Sequence, residues 1–181
     1  MIANLIDQGL DDEQIKEKVI YMNIFQVKST DRRKRFYSEV KKRINELDEF
    51  LFERLLTSDT STSKAILLYA ILKKDQLFYE WMREVVWDKW ITLNNEVTRQ
   101  NTESFFEKKI EQNDSIANWK VETRERLANA YHQTLVDAEY ATKNKIKIFL
   151  HRPIISSNVE NYLKDEKEKH IVEVLLGEVI K

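Results

Sequence analysis

The sequence predicts an all-α protein, and three observations carry that prediction. Its 181 residues include only two glycines and one proline, so the usual punctuation of strands and tight turns is scarce. Strong helix formers such as Ala, Glu, Lys, Leu and Arg supply much of the chain. Apolar residues recur at spacings of three and four through most segments. Hydrophobic residues are 42% of the total, enough to build a core, and charged residues reach 34%, above the customary proportion of about a quarter.

The elements follow in order. Met1 to Gln8 reads as the end of a helix stopped by Gly9. Asp11 or Asp12 can cap a second helix that carries Ile15, Val19, Ile20 and Tyr21. After a short connection from Asn23 to Lys28, Ser29 or Thr30 can cap a third helix running to about Leu56. Its apolar stripe is Phe36, Val40, Ile44, Leu47, Leu51 and Leu55. The polar run Thr57 to Ser63 is the clearest break in the chain. A fourth helix is expected over about Thr62 to Lys74 and a fifth over Gln76 to Leu93. A polar stretch, Asn94 to Asn101, then separates these from a sixth helix, Thr102 to Gln112. Asp114 or Ser115 opens a long helix to about Glu139. Lys143 to Leu150 alternates lysines with Ile146 and Ile148, the period of a strand or hairpin arm. Ser156 or Ser157 can cap a helix through Leu163, and a last amphipathic piece, Glu168 to Leu176, ends at Gly177. The expected organisation is one compact molecule with three regions. These are a basic helix-turn-helix-like region at 1–56, a helical bundle at 57–113, and a winged-helix-like region with a short β-ribbon at 114–181.

Several function classes find no support. The absence of cysteine excludes disulfides, thiolate metal sites and cysteine nucleophiles, and makes a reducing cytoplasm the default compartment. The longest apolar run, Ala65 to Leu72, is far short of the roughly twenty residues that cross a bilayer. The N-terminus lacks the basic start and cleavage site of a signal peptide. The expectation is a soluble cytoplasmic protein without membrane contact. His132, His151 and His170 are scattered, and no glycine-rich phosphate loop exists. Glu103, Glu107 and Glu111 share a helix face without a histidine, as a solvated face does. No nucleophile with a base and an orienting group can be assigned, so neither catalysis nor a cofactor is expected.

Charge is distributed unevenly. From Lys28 to Arg43, eight basic side chains stand against two acidic ones, a local charge of +6 in a protein whose net charge is −1. Phosphate attraction depends on local potential, so a segment like this suits a polyanion. Arg32, Arg33, Lys34 and Arg35 occupy the first turns of the third helix, where cations oppose the helix dipole by roughly a few tenths of a kcal/mol each. Arriving phosphates would offset that cost. On a helical wheel Lys34, Arg35, Ser38, Lys41 and Lys42 fall opposite the apolar stripe. Helix, glycine turn, helix, short loop and basic helix together resemble a helix-turn-helix. A second basic cluster, Lys143, Lys145, Lys147 and Arg152, would reach a phosphate backbone or minor groove from a wing. The alternative is the lysine-protected face of an edge strand. Tyr79, Trp81, Trp87 and Trp90 read as core at helical spacing rather than as a base-stacking platform.

Three blocks carry a family resemblance: FQVKSTDRRKRFYSEVKKRINELD, SKAILLYAILKKDQLFYEWMREVV and TESFFEKKIEQNDSIANWKVETRERLANAYHQTLVDAEY. In order and spacing they resemble the BrxA family of BREX phage-exclusion systems, once labelled putative inner-membrane proteins. The likeness runs from about Gly9 to Leu163. It implies an all-helical fold like that of the RNA-binding antitermination factor NusB. It also implies double-stranded DNA binding through helix-turn-helix-like elements, and work beside other BREX proteins. The family's basic helix falls on Arg32, Arg33, Lys34, Arg35, Lys41 and Lys42, and its winged element on Lys143, Lys145, Lys147 and Arg152. The family pattern has further residues before the first helix, which puts Met1 inside that helix or marks a shortened chain. The expected function is non-enzymatic binding of duplex DNA in phage defence. The alternatives are a protein-interaction subunit of the defence complex and NusB-like RNA binding.

Overall fold

Helices joined by short capped turns dominate the structure, a computed structural model that describes residues 1–145, 147–165 and 168–180. Ile146 in the predicted alternation and Lys181 at the end of the last region lie outside the described residues. So does the side chain of Ser115, one of the two candidate caps. The described residues form two compact units, Met1–Ser58 and Asp59–Lys181.

In the first unit, α1 (Ile2–Asp7) ends before Gly9, whose φ of 79° needs a residue without a Cβ. Asp11 caps α2 (Asp12–Lys16) through a reciprocal capping box with Gln14. The chain then widens into one π-helical turn, Glu17–Tyr21. Ser29 caps α3 (Thr30–Ile44), its hydroxyl accepting from the Arg32 amide. The third helix does not reach Leu56. It stops at Ile44, and Asp48 caps a separate α4 (Glu49–Thr57) by accepting from the Leu51 amide at 2.9 Å. The apolar spacing continues across the break because both helices face one core, so periodicity alone does not show it. That core joins Ile2, Ile15, Val19, Ile20, Tyr37 and Ile44, with Val40, Phe52, Leu55 and Leu56 packed around them.

The second unit begins with α5 (Thr60–Lys74), capped by Asp59. Next come α6 (Gln76–Trp81), a π-helical turn (Met82–Val86) and α7 (Trp87–Ile91). The expected polar loop at 94–101 contains a strand, β1 (Glu96–Thr98), which leads into α8 (Arg99–Gln112). The expected long helix is two pieces, α9 (Asp114–Ala117) and α10 (Val121–Asp137). The basic tail forms the expected short β-ribbon, but Lys143 to Leu150 is not a single arm: a turn at Lys145 separates β2 (Ala141–Asn144) from β3 (Lys147–Leu150). β3 is the central strand, antiparallel to both neighbours, with Val97 opposite Ile148 and Ala141 opposite Leu150. β1 escapes a periodicity search because three residues are too few to show alternation. Helices α11 (Ser157–Asp165) and α12 (Lys169–Leu176) complete the unit, and α12 packs on α5.

Its core is built on fully buried Ile66, Leu68, Tyr69, Leu72, Phe78, Trp81, Phe106 and Leu135. Trp81 therefore packs, as expected, among Phe78, Tyr131 and His132. Gly177 closes α12 at φ 67°, and a Cβ there would lie 2.8 Å from the Trp90 ring. Trp90 donates to the Tyr140 hydroxyl at 3.1 Å, and that hydroxyl donates to the Val174 carbonyl at 3.2 Å. Among the described residues no helix is long and apolar enough to cross a membrane.

Candidate nucleic-acid interface

The basic helix α3 is anchored on one side and open on the other. Tyr37 is buried at 6% exposure while Phe36 is 43% exposed, so the core-facing side is centred on Tyr37 rather than on Phe36. That rotation decides the fate of the cations. Lys41, one turn beyond Tyr37, lies at the edge of the core rather than opposite it. Lys41 Nζ donates to Asp12 Oδ1, which also accepts from the Tyr37 hydroxyl at 2.6 Å. Lys16 joins the same carboxylate at 2.9 Å. Hydrogen bonds from Lys41, Tyr37 and Lys16 hold the Asp12 carboxyl well below the usual carboxylate range. Burial and then the Asp12 hydrogen bond push the Tyr37 phenol up.

Arg33 is also committed. It donates to the Ile20 carbonyl at 2.5 Å and to Thr30 Oγ1 at 2.8 Å. Ile20 belongs to the π-helical turn, and Arg33 supplies a donor to its carbonyl. The guanidinium thus fastens the start of α3 to the π-helical turn.

What remains outside is a cationic surface. Arg32, Lys34, Arg35 and Lys42 are exposed, and Ser38 is half-buried among them. Lys42 sits 3.6 Å from Glu39, with more than half of its side chain in solvent. Arg32, Lys34 and Arg35 have no ion-pair partner among the described residues, and neither does exposed Lys28 just before the helix. Lys28 shares this surface although the helix-based reading of the site left it out; the local charge count already contained it. Neither Asp12 nor Tyr37 announces itself in the sequence as an anchor, because the bonds of Asp12 with Tyr37 and Lys41 join residues 25 and 29 positions apart.

The hairpin divides its cations in the same way. Lys143 on β2 and Lys145 at the tip are exposed and without an ion-pair partner among the described residues. Lys145 adopts φ 54°, a left-handed backbone uncommon for residues other than glycine and asparagine. Lys147 pairs with Glu96 of β1 at 2.8 Å, across the strand pairing that the sequence did not reveal. Arg152 lies 3.7 Å from Glu178 and 5.9 Å from the Trp90 ring centre. Two of the four predicted wing cations are therefore partly neutralised inside the unit.

The likeness in wording is matched at the level of the whole chain. The family model described as BrxA matches residues 1–167. The chain belongs to the BrxA family. A protein of Bacillus cereus (strain H3081.97) named "BREX protein BrxA" is 32% identical over 177 residues, covering 98% of this chain and 88% of that protein. The "BREX protein BrxA" of Paramagnetospirillum magneticum (strain ATCC 700264 / AMB-1) is 22% identical over 172 residues, covering 95% and 86%. The fold matches a crystal structure of an uncharacterized protein from Magnetospirillum magneticum with a TM-score of 0.81 at 22% identity, covering 97% of this chain and 90% of that one.

Elsewhere in this BrxA-family chain several polar groups meet partners inside the fold. Among the described residues no group of three His, Asp or Glu side chains could hold a metal. Glu103 of the aligned glutamates pairs with Arg99 at 2.8 Å. Lys109 is buried against Glu80 and Glu84 at 2.6 and 2.7 Å. Burial lowers its pKa, but the two carboxylate hydrogen bonds outweigh burial and the net shift is upward. The Thr102 hydroxyl accepts from Trp81 at 3.1 Å and lies 2.8 Å from His132 Nε2.

Proposed function

We propose that this chain is a non-enzymatic, cytoplasmic DNA-binding component of a BREX phage-defence system. It contacts the duplex backbone through α3 and the hairpin tip and works beside other BREX proteins. Membership of the BrxA family supports the defence role. One observation carries the DNA-binding reading. Arg33 and Lys41 lock α3 in place from behind, while Arg32, Lys34, Arg35 and Lys42 stand in solvent on its open side. A rigid helix presenting three cations without an acidic partner among the described residues, and a fourth only loosely paired with Glu39, attracts phosphate at little ordering cost. Ser38 adds a hydroxyl donor within that surface. Lys143 and Lys145 supply a second contact, and Lys147 and Arg152 join it only by exchanging their carboxylate partners for phosphates.

Mobility-shift titrations of duplex DNA, duplex RNA and single strands at several salt concentrations test this. Duplex DNA should bind with weak sequence preference, its affinity falling steeply with salt. Reversing two cations, Arg35→Glu with Lys42→Glu, should lower the salt slope by about two. Unchanged affinity in a variant with native circular dichroism removes α3 from the interface. Absence of a shift with any nucleic acid at low salt leaves a protein partner for the cationic surface. Preferential binding of duplex RNA favours the NusB-like reading.

A further inference from the structure

The three-stranded sheet of the second unit has one buried face and one open face, and its register sorts the side chains between them. Val97, Ile148 and Leu150 point inward and are buried. Phe149 points the other way, with Glu96 opposite it on β1 and Thr142 opposite it on β2. The neighbouring outward row is Thr98, Lys147 and Asn144. Two contacts place these side chains together on the open face. Lys147 reaches Glu96 at 2.8 Å, and His151 Nε2, two residues beyond Phe149, lies 2.9 Å from the Thr142 hydroxyl. Lys147, Phe149 and His151 thus follow one another along the line of the central strand. Phe149 is half-buried between its neighbours, while Thr142, Asn144, Lys147 and His151 are exposed. Interior aromatic residues of this unit, such as Phe78, Trp81 and Tyr131, pack on one another. Phe149 has no aromatic or cationic partner among the described residues.

We infer that the open face binds an unpaired stretch of DNA, its bases stacked on Phe149 and His151 and its phosphates drawn to Lys143 and Lys145. Phe149 is the one apolar side chain that the three strands send to this face, and Thr98, Thr142 and Asn144 around it are polar. A protein partner docks on a wider apolar surface, whereas a lone ring among hydroxyls and an amide suits a flat base with polar edges. Aromatic side chains on an open sheet are a recurrent platform for unpaired bases. Charge agrees with that occupant. Lys147 neutralises Glu96, the acid on the face. Lys145 at the turn and Lys143 on the edge strand have no ion-pair partner among the described residues, so one end of the face attracts phosphate. The choice of DNA rests on the proposed duplex contact at the same hairpin tip, from which this face continues. A duplex itself shows only base edges in its grooves, so the ring of Phe149 selects a strand whose bases are free.

Fluorescence anisotropy of labelled oligothymidylate, with oligouridylate and a DNA duplex alongside, tests this. The wild-type chain should bind oligothymidylate. Phe149→Leu keeps an apolar side chain without a π-face and should weaken that binding about tenfold, whereas Phe149→Tyr should retain it. His151→Ala, at an exposed position, should weaken it several-fold. All three variants should hold duplex DNA as the wild type does and melt close to it. Oligothymidylate binding that survives both Phe149→Leu and His151→Ala overturns the platform. So does a wild-type chain that binds duplex but not oligothymidylate, which leaves the duplex reading standing. Tighter binding of oligouridylate overturns the choice of DNA. Phe149-dependent binding of oligothymidylate by a chain that ignores duplex upholds the platform and overturns the duplex reading alone. Binding of neither overturns both.

Discussion

Neighbouring cations on α3 do different work because of what each side chain meets. Arg33 reaches a carbonyl of the π-helical turn and Lys41 reaches Asp12, so both hold the helix rather than face solvent. The sequence displays their charge but not these partners, which lie 13 and 29 positions away. Buried His132 shows the opposite cost of charge. Burial, helped by Lys143 and Arg99, pulls its pKa from 6.5 to about 4. An unfolded chain takes up this proton below about pH 6.5, whereas the folded chain refuses it until about pH 4. The unfolded state thus binds more protons across that window, and stability falls as pH drops through it, by up to ~3 kcal/mol. Urea unfolding at pH 7 and pH 4.5 should show the loss, and His132→Gln should reduce it.

At the scale of elements, caps and periodicity made most helices legible. Asp11 and Ser29 sit where short polar side chains precede apolar-periodic runs, and each accepts the expected backbone amide, whereas the cap at Asp59 starts α5 two residues before the expected Thr62. The division between α3 and α4 was hidden because Ile44 and Leu51 keep one apolar rhythm across it. The period of two marked β structure but not the turn at Lys145 that divides it, and it missed β1, which brings the Glu96 that pairs with Lys147. One of the four predicted wing cations therefore meets an acid from β1, and a second, Arg152, meets Glu178 beyond α12. The tip carries its own signature. Lys145 holds a left-handed backbone at a cost of roughly 1 kcal/mol that glycine would avoid. Lys145→Gly should raise the melting temperature and weaken DNA binding together. A stabilised variant with unaltered affinity would take the tip out of the interface.

On the whole-molecule scale, net charge conceals the distribution that matters. The formal charge is −1 and the isoelectric point about 6.4, yet one sixteen-residue segment carries +6. At pH 7 and low salt the protein should be retained on immobilised heparin despite its negative net charge, and Arg35→Glu with Lys42→Glu should elute earlier in a salt gradient. Early elution of the wild-type chain as well would mean that local potential does not outweigh the total. The second unit adds a constraint of a different kind. Gly177 touches the Trp90 indole, the indole bonds Tyr140, and Tyr140 immediately precedes β2. A larger residue at 177 would therefore press on the indole that steadies the start of a lysine-bearing arm far upstream in the chain, so the end of α12 and the root of that arm cannot change independently.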